Sequence, residues 1–324
     1  EMCIRDSVYN LDFWYLREIK RENVIIRARP DFSDIRKKFC QSREHFPTGI
    51  VAVKVPENIE PEKAIEYAVQ ELWDYEILLS FAQDRHVFFH GFECFEVEGD
   101  SKKLLEKTWH SIRTGKPRGV GIIWQKGLEE FLKTGVPLLR DPDYNRKTRI
   151  KRALLLYNEA SIMRTANVVE VEHPTLFVAL EVLSNAHVKS NPRTFLFSNT
   201  TWKELIQRVQ DVLDELSVGP NSRSRILGSL GFAKQGSAKE RIMYLLESLG
   251  LPTYEREITQ MVDLRNDILH GRDLKENYDG ESPIDVVIKC KRLLAKLILK
   301  LLRFYHREDI IHGAYLRSDL KARF

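Results

Sequence analysis

Residues 263–271 read Asp-Leu-Arg-Asn-Asp-Ile-Leu-His-Gly, and Arg265, Asn266 and His270 within them have complementary chemistry. Histidine titrates near neutrality, so His270 can take or give a proton under ordinary conditions. Arginine is a permanent cation with a planar fork of donors, which suits Arg265 to negative charge building on a phosphate. Asn266 can orient the imidazole or bond an anion oxygen. On a helix, Asn266 and His270 are four apart and share a face. Arg265 and His270 are five apart, about 140° around the axis. A single helix therefore does not aim all three at one point.

The Arg-x4-His spacing occurs twice more, at Arg85–His90 and at Arg307–His312, the latter also running into a glycine, Gly313. Spacing alone decides nothing, so context must separate the three. Arg85 and His90 fall in an aromatic, strand-like stretch, where a helical Arg/His pair has no frame. Arg307 and His312 lie past the final long helical pattern, with no further helix to pack over them. Arg265 and His270 end an amphipathic helix that another long helix follows. The plainest role for His270 is a helix C-terminal histidine ahead of a C-cap glycine, Gly271.

The elements around these residues divide the chain. In residues 1–142, Asn23–Ala28 and Gly49–Val55 have strand patterns, Pro61–Ala82 a helical one, and His86–Val97 a strand pattern kinked at Gly91. Ile122–Trp124 suggests another strand and Leu128–Lys133 a short helix. Trp73, Trp109, Trp124 and the Phe88–Phe95 cluster are expected in the core of this part. Lys116–Gly121 lacks the spacing and terminal Lys-Ser/Thr of a phosphate loop. Asp141-Pro142-Asp143 is turn chemistry and marks a boundary.

After it helices dominate. The first spans Arg149–Met163, and the next starts at Pro174. A third runs from Thr201 to Gly219-Pro220, and a short one covers Ser222–Leu230. Ser237 caps the next, Pro252 opens the one that ends at Gly271, and Pro283 opens the last. The expected fold class is an α+β N-terminal domain (1–142) followed by an all-α helical bundle (148–310) and a tail (311–324), mainly α overall.

With 324 residues, 30% charged and 43% hydrophobic, the chain has room for two cores and is not of disordered composition. A net charge of +4 permits nucleic-acid contact without arguing for it. Cys3, Cys40, Cys94 and Cys290 are far apart with no CxxC, so neither a disulfide framework nor a zinc site is expected, and reduced thiols suit a cytoplasm. Val286–Tyr305 is apolar but interrupted by Lys289, Lys291, Arg292, Lys296, Lys300 and Arg303, which indicates an amphipathic helix and no membrane span. Residues 1–7 (Glu-Met-Cys-Ile-Arg-Asp-Ser) resemble a translated sequencing-adapter segment, and no functional weight is put on them.

Three landmarks in order, Arg149–Tyr157, Phe177–Leu183 with its Leu-Glu step at Glu181, and Leu264–Gly271, resemble the Apea-like HEPN domain, over about half the chain. The resemblance implies a metal-independent endoribonuclease that cleaves RNA by transesterification and leaves a 2′,3′-cyclic phosphate, without a cofactor. In it Arg265, Asn266 and His270 are catalytic, and Glu181 is either a buried supporting partner of the motif arginine or a solvated helix residue; Lys289 and Arg292, early on the next helix, read first as a solvated face and otherwise as RNA-backbone contacts. It also implies a homodimer, with motifs from both protomers lining one cleft. A role in anti-phage defence or as a toxin follows, with residues 1–142 sensing an unknown trigger or restraining the nuclease. The alternatives are a non-catalytic HEPN module that binds RNA or a protein partner, and a plain helical interaction domain.

Overall fold

In the computed structural model the described residues are 2–9, 11, 18–21, 23–32, 47–98, 101–109, 121–163, 169–190, 199–233, 236–307 and 309–316. Cys40, residues 116–120 and residues 317–324 of the expected tail lie outside them.

Alternating β-branched residues build a six-stranded antiparallel sheet. Its strands are β1 (Met2–Tyr9), β2 (Glu18–Arg21), β3 (Val24–Ala28), β4 (Pro47–Val55), β5 (Phe88–Glu98) and β6 (Ser101–Trp109). They lie in the order β2-β3-β4-β1-β5-β6. Val24, Ile26, Val51, Val53 and Val55 point into the core while Arg27 and Lys54 point out, as period-two alternation requires. β1 is central, paired with β4 and β5, so most of the adapter-like segment sits in the sheet. That pairing uses only backbone N–H and C=O groups, so it is indifferent to the segment's origin. Between Asp6↔Phe92 and Val8↔Phe89 the register shifts, a β-bulge beside the expected kink at Gly91.

Helix α1 (Pro61–Gln83) starts with Pro61 in its first turn and buries Ala64, Ala68, Leu72, Tyr75, Leu78 and Leu79. The helical part follows as α2 (Leu128–Arg140), α3 (Pro142–Thr148), α4 (Ile150–Met163), α5 (Val169–Ser190), α6 (Asn199–Glu215), α7 (Pro220–Ala233), α8 (Ala238–Ser248), α9 (Glu255–Leu269), α10 (Pro283–Leu301) and a single turn, α11 (Gly313–Leu316). The chain is thus mainly helical, with an antiparallel sheet near its N-terminus.

Ser237 caps α8 as expected, Asp141 and Ser282 cap helices as well, and α6, expected to start at Thr201, begins at Asn199. Asp141 accepts from the backbone N–H of Asp143 and Tyr144. Ser237 and Glu240 form a reciprocal capping box, and Ser282 caps α10.

Other expectations are corrected. Ile122–Trp124 is no sheet strand; Ile123 makes one bridge to Ile311, whose chain returns from the far end of the sequence. The helix expected over Leu128–Lys133 runs on to Arg140. Pro174 lies inside α5, past its first turn, where its missing N–H removes one helical hydrogen bond. Pro252 precedes α9 by three residues; the cap is Tyr254, held at φ 48° and accepting a 3.1 Å hydrogen bond from the buried Lys296 ammonium. Trp73 and Trp124 are 44% and 46% exposed, so neither is a core residue. Phe88 and Phe89 are buried as expected.

The expected boundary at 141–143 is a turn between α2 and α3, but the apolar core runs across it. Phe304 packs edge-on to Phe131 (5.2 Å), Phe131 stacks with Phe81 (6.1 Å), and Phe81 packs on Tyr157 (5.1 Å). One aromatic column therefore joins α1, α2 and α4 to the chain just after α10. Beside it Lys291 Nζ lies 2.6 Å from Asp84 Oδ1, which also accepts from the Tyr157 and Ser161 hydroxyls. The amphipathic face expected of Val286–Tyr305 is also revised: Lys289, Lys291 and Lys296 are all buried.

Candidate functional site

Helices α5 and α9 meet in a register that places Arg265. On α5, His173, Phe177 and Glu181 recur every fourth residue and so share one face. On α9, Met261 and Arg265 do the same. His173 Nε2 donates to the Met261 carbonyl at 2.8 Å, the Arg265 guanidinium lies 5.6 Å from the Phe177 ring centre, and Arg265 Nη2 is 3.5 Å from Glu181 Oε2. Arg265 Nη1 also donates to Asn266 Oδ1 at 3.1 Å. The motif arginine is thus held by a carboxylate, an aromatic face and its neighbouring amide.

Glu181 serves a second arginine as well, Arg241 of α8, whose Nη2 is 3.8 Å from Oε1. Two guanidiniums therefore share one carboxylate, which leaves an excess positive charge. All three side chains are mostly shielded, with 30% of Arg265, 15% of Arg241 and 19% of Glu181 exposed. Screening by water is reduced there, so that charge favours an incoming anion more than a surface lysine would.

Histidine 173 was not among the residues the sequence marked. It is fully buried, and burial, with a smaller push from Arg265, lowers its pKa to about 4. It is neutral at pH 7, and because a carbonyl faces Nε2, the proton sits on that nitrogen. Its role is to tie α5 to α9 one turn before Arg265.

His270 occupies the C-cap of α9 and is exposed. Its N–H bonds the Asn266 carbonyl at 3.0 Å. Gly271 takes φ +61° and donates to Ile268 O, while Arg272 donates to Asp267 O, a Schellman-type stop. Asp267 is buried; it accepts from the Tyr278 hydroxyl at 3.2 Å and lies 3.5 Å from both Arg272 and Lys275. The loop after the motif is thereby folded back on α9, and it sets two exposed cations close in sequence to His270. Asp267 and this loop went unmarked because their partner, Tyr278, is eleven residues away, beyond any helical periodicity.

The remaining expected residues separate. Lys289 is buried and 2.8 Å from Glu281, so the solvated lysine expected there is corrected, and its charge is already matched. Arg292 is half-buried on α10. The two other Arg-x4-His matches are taken up elsewhere. Arg307 pairs with Asp309 and Glu130, while the His312 ring lies 5.1 Å from Trp124 and packs edge-on to Tyr315 of the short α11. Arg85 bonds the Gln83 carbonyl and His90 lies in β5.

Among the described residues no group of three or more His, Cys, Asp or Glu is arranged to hold a metal ion. Among them, too, no helix is long and apolar enough to cross a membrane. No family model, curated protein or solved structure matches this chain.

Proposed function

We propose that the chain is a HEPN-type endoribonuclease whose reaction centres on Arg265, Asn266 and His270. The observation that supports this best is the Glu181 carboxylate shared by Arg241 and by Arg265, the latter on the helix α9 that also delivers a solvent-facing His270. The excess cation stabilises charge building on a scissile phosphate. His270 exchanges a proton with the 2′-hydroxyl or the 5′-oxygen leaving group. The 2′-oxygen attacks phosphorus, the P–O5′ bond breaks, and a 2′,3′-cyclic phosphate and a 5′-hydroxyl result. Asn266 orients the imidazole or holds a phosphate oxygen. Arg272, Lys275 and Arg292 supply backbone contacts, which makes RNA affinity fall with salt.

Because Arg265 and His270 point about 140° apart on one helix, the complete site pairs the motifs of two protomers, and a homodimer is part of the proposal. Defence against phage or a toxin-type role, in a cytoplasm, fits such an activity, with residues 1–142 sensing a trigger or restraining the nuclease.

A second reading draws on the C-cap geometry of His270, which any helix stop can use: a non-catalytic module that binds RNA or a protein. The test is a single-stranded RNA compared with the same oligonucleotide carrying 2′-deoxyribose throughout. The nuclease reading expects cleavage of the first alone, with cyclic-phosphate ends. Binding of the RNA without cleavage, even by a demonstrated dimer, would favour the second reading.

A further inference from the structure

Away from that site, α6 carries an apolar stripe that the single chain leaves open. Leu205, Val209, Val212 and Leu216 follow one another at steps of four, three and four, the spacing of a coiled-coil seam. The Leu216 N–H still bonds the Val212 carbonyl at 3.0 Å, so the stripe keeps helical geometry to its end. Leu205 and Val209 are half-buried, whereas Val212 is 49% and Leu216 68% exposed. Among the described residues, no apolar side chain of α6 or α7 joins the core that runs through the rest of the chain. The helix is nonetheless anchored: Leu213 is buried, and Asp214 holds Arg223 of α7.

The charges on α6 select the occupant. Its first half carries Lys203, Glu204 and Arg208, and its last turns carry Asp211, Asp214 and Glu215. Two copies of α6 laid parallel set the acidic ends side by side and put Arg208 opposite Leu213, so nothing offsets the repulsion. Laid antiparallel, each acidic end lies on the more basic half of the other helix. Leu205 then faces Leu216 of the second copy, and Val209 faces its Val212, so every layer of the seam is apolar. Arg208 flanks the seam between Leu205 and Val209, and Glu215 flanks it between Val212 and Leu216. The antiparallel register brings those two together, and twofold symmetry makes the contact twice. Both are exposed, and neither forms an ion pair with any described residue of its own chain.

We propose that α6 is a self-docking surface, on which two copies of this chain pair antiparallel along the Leu205–Leu216 stripe and are fastened by reciprocal Arg208–Glu215 contacts. The stripe is about 17 Å long at the helical rise of about 1.5 Å per residue. A contact this short is reversible, with a dissociation constant on the order of 10 µM. The proposal rests on the pattern of α6 alone and does not require the ribonuclease reading.

The test is sedimentation equilibrium of the full-length protein across about 1–100 µM. The expected result is a reversible dimer, weakened at least about tenfold by Leu216→Asp, by Arg208→Glu and by Glu215→Arg, since each change acts twice in the dimer. Combining Arg208→Glu with Glu215→Arg restores association, because the exchanged charges meet in the same register. All three side chains are exposed in the single chain, so the substitutions spare its fold, which circular dichroism checks. A wild-type protein that stays monomeric at about 100 µM overturns the proposal. So does a dimer that Leu216→Asp leaves unchanged, or a double charge reversal that recovers nothing. RNA cleavage enters none of these outcomes, so this proposal and the nuclease reading fail separately.

Discussion

Arg265 Nη2 sits 3.5 Å from Glu181 Oε2, and the same carboxylate lies 3.8 Å from Arg241. Removing it strands two guanidiniums in a mostly shielded place. Glu181→Gln is expected to cost about 1–2 kcal/mol, a modest figure because the pairs keep some contact with water. Adding Arg265→Gln should return part of that loss, since one of the two stranded charges is then gone. Urea unfolding of wild type, both single variants and the double variant gives the coupling directly. Strict additivity would mean the carboxylate does not hold the arginine.

Acid stability carries a signature of His173. Its folded pKa, about 4, lies below the ordinary value of 6.5. The unfolded chain thus takes up a proton that the folded chain refuses. The stabilisation is complete above pH 6.5 and drains away as pH falls toward 4, amounting to about 3 kcal/mol. His173→Phe removes that titration. The gap in unfolding free energy between about pH 7 and about pH 4.5 should be narrower in the variant by roughly 2–3 kcal/mol. An unchanged gap would mean that His173 is not held neutral by burial.

Gly271 stops α9 at φ +61°, and an added Cβ would meet nothing within 4 Å. Gly271→Ala therefore tests backbone strain without a clash. It should cost about 1 kcal/mol. The same change loosens the turn that presents His270, so a proportionally larger loss of RNA cleavage than of stability is expected. That comparison needs a thermal melt and an activity measurement on the same sample.

The buried Asp84–Lys291 pair fastens the end of α1 to α10. Lys291→Met leaves Asp84 buried with, among the described residues, the Tyr157 and Ser161 hydroxyls, and a loss of about 3–5 kcal/mol is expected. Asp84→Asn together with Lys291→Met should be much closer to wild type, because no charge is then left alone. A double variant as unstable as the single one would contradict this.

Much of the architecture is legible in the sequence because it rests on local periodicity. The α1 stripe from Ala64 to Leu79, the Ser237–Glu240 capping box and the Gly271 stop are all written within a few residues of one another. What escapes is what long-range contacts decide. Pro174 marks a helix start by local rule, yet α5 begins earlier. The lysines of α10 suggest a wet face, but Glu281, Asp84 and Tyr254 receive Lys289, Lys291 and Lys296 inside the core. The site is legible in the same measure. Arg265, Asn266, His270 and Glu181 can be singled out from their order along the chain. His173, Arg241 and Asp267 cannot, since each acquires meaning only from a partner on another element or in a loop.

Cleavage of a labelled single-stranded RNA in EDTA, by wild type, His270→Ala and His312→Ala side by side, tests the central proposal most directly. His312 packs against Trp124 and Tyr315 and lies outside the candidate site. The expected result is metal-independent cleavage by wild type and His312→Ala, with loss of at least about a hundredfold in His270→Ala. Full cleavage by folded His270→Ala, or no cleavage by wild-type protein shown to be dimeric and RNA-bound, would contradict it.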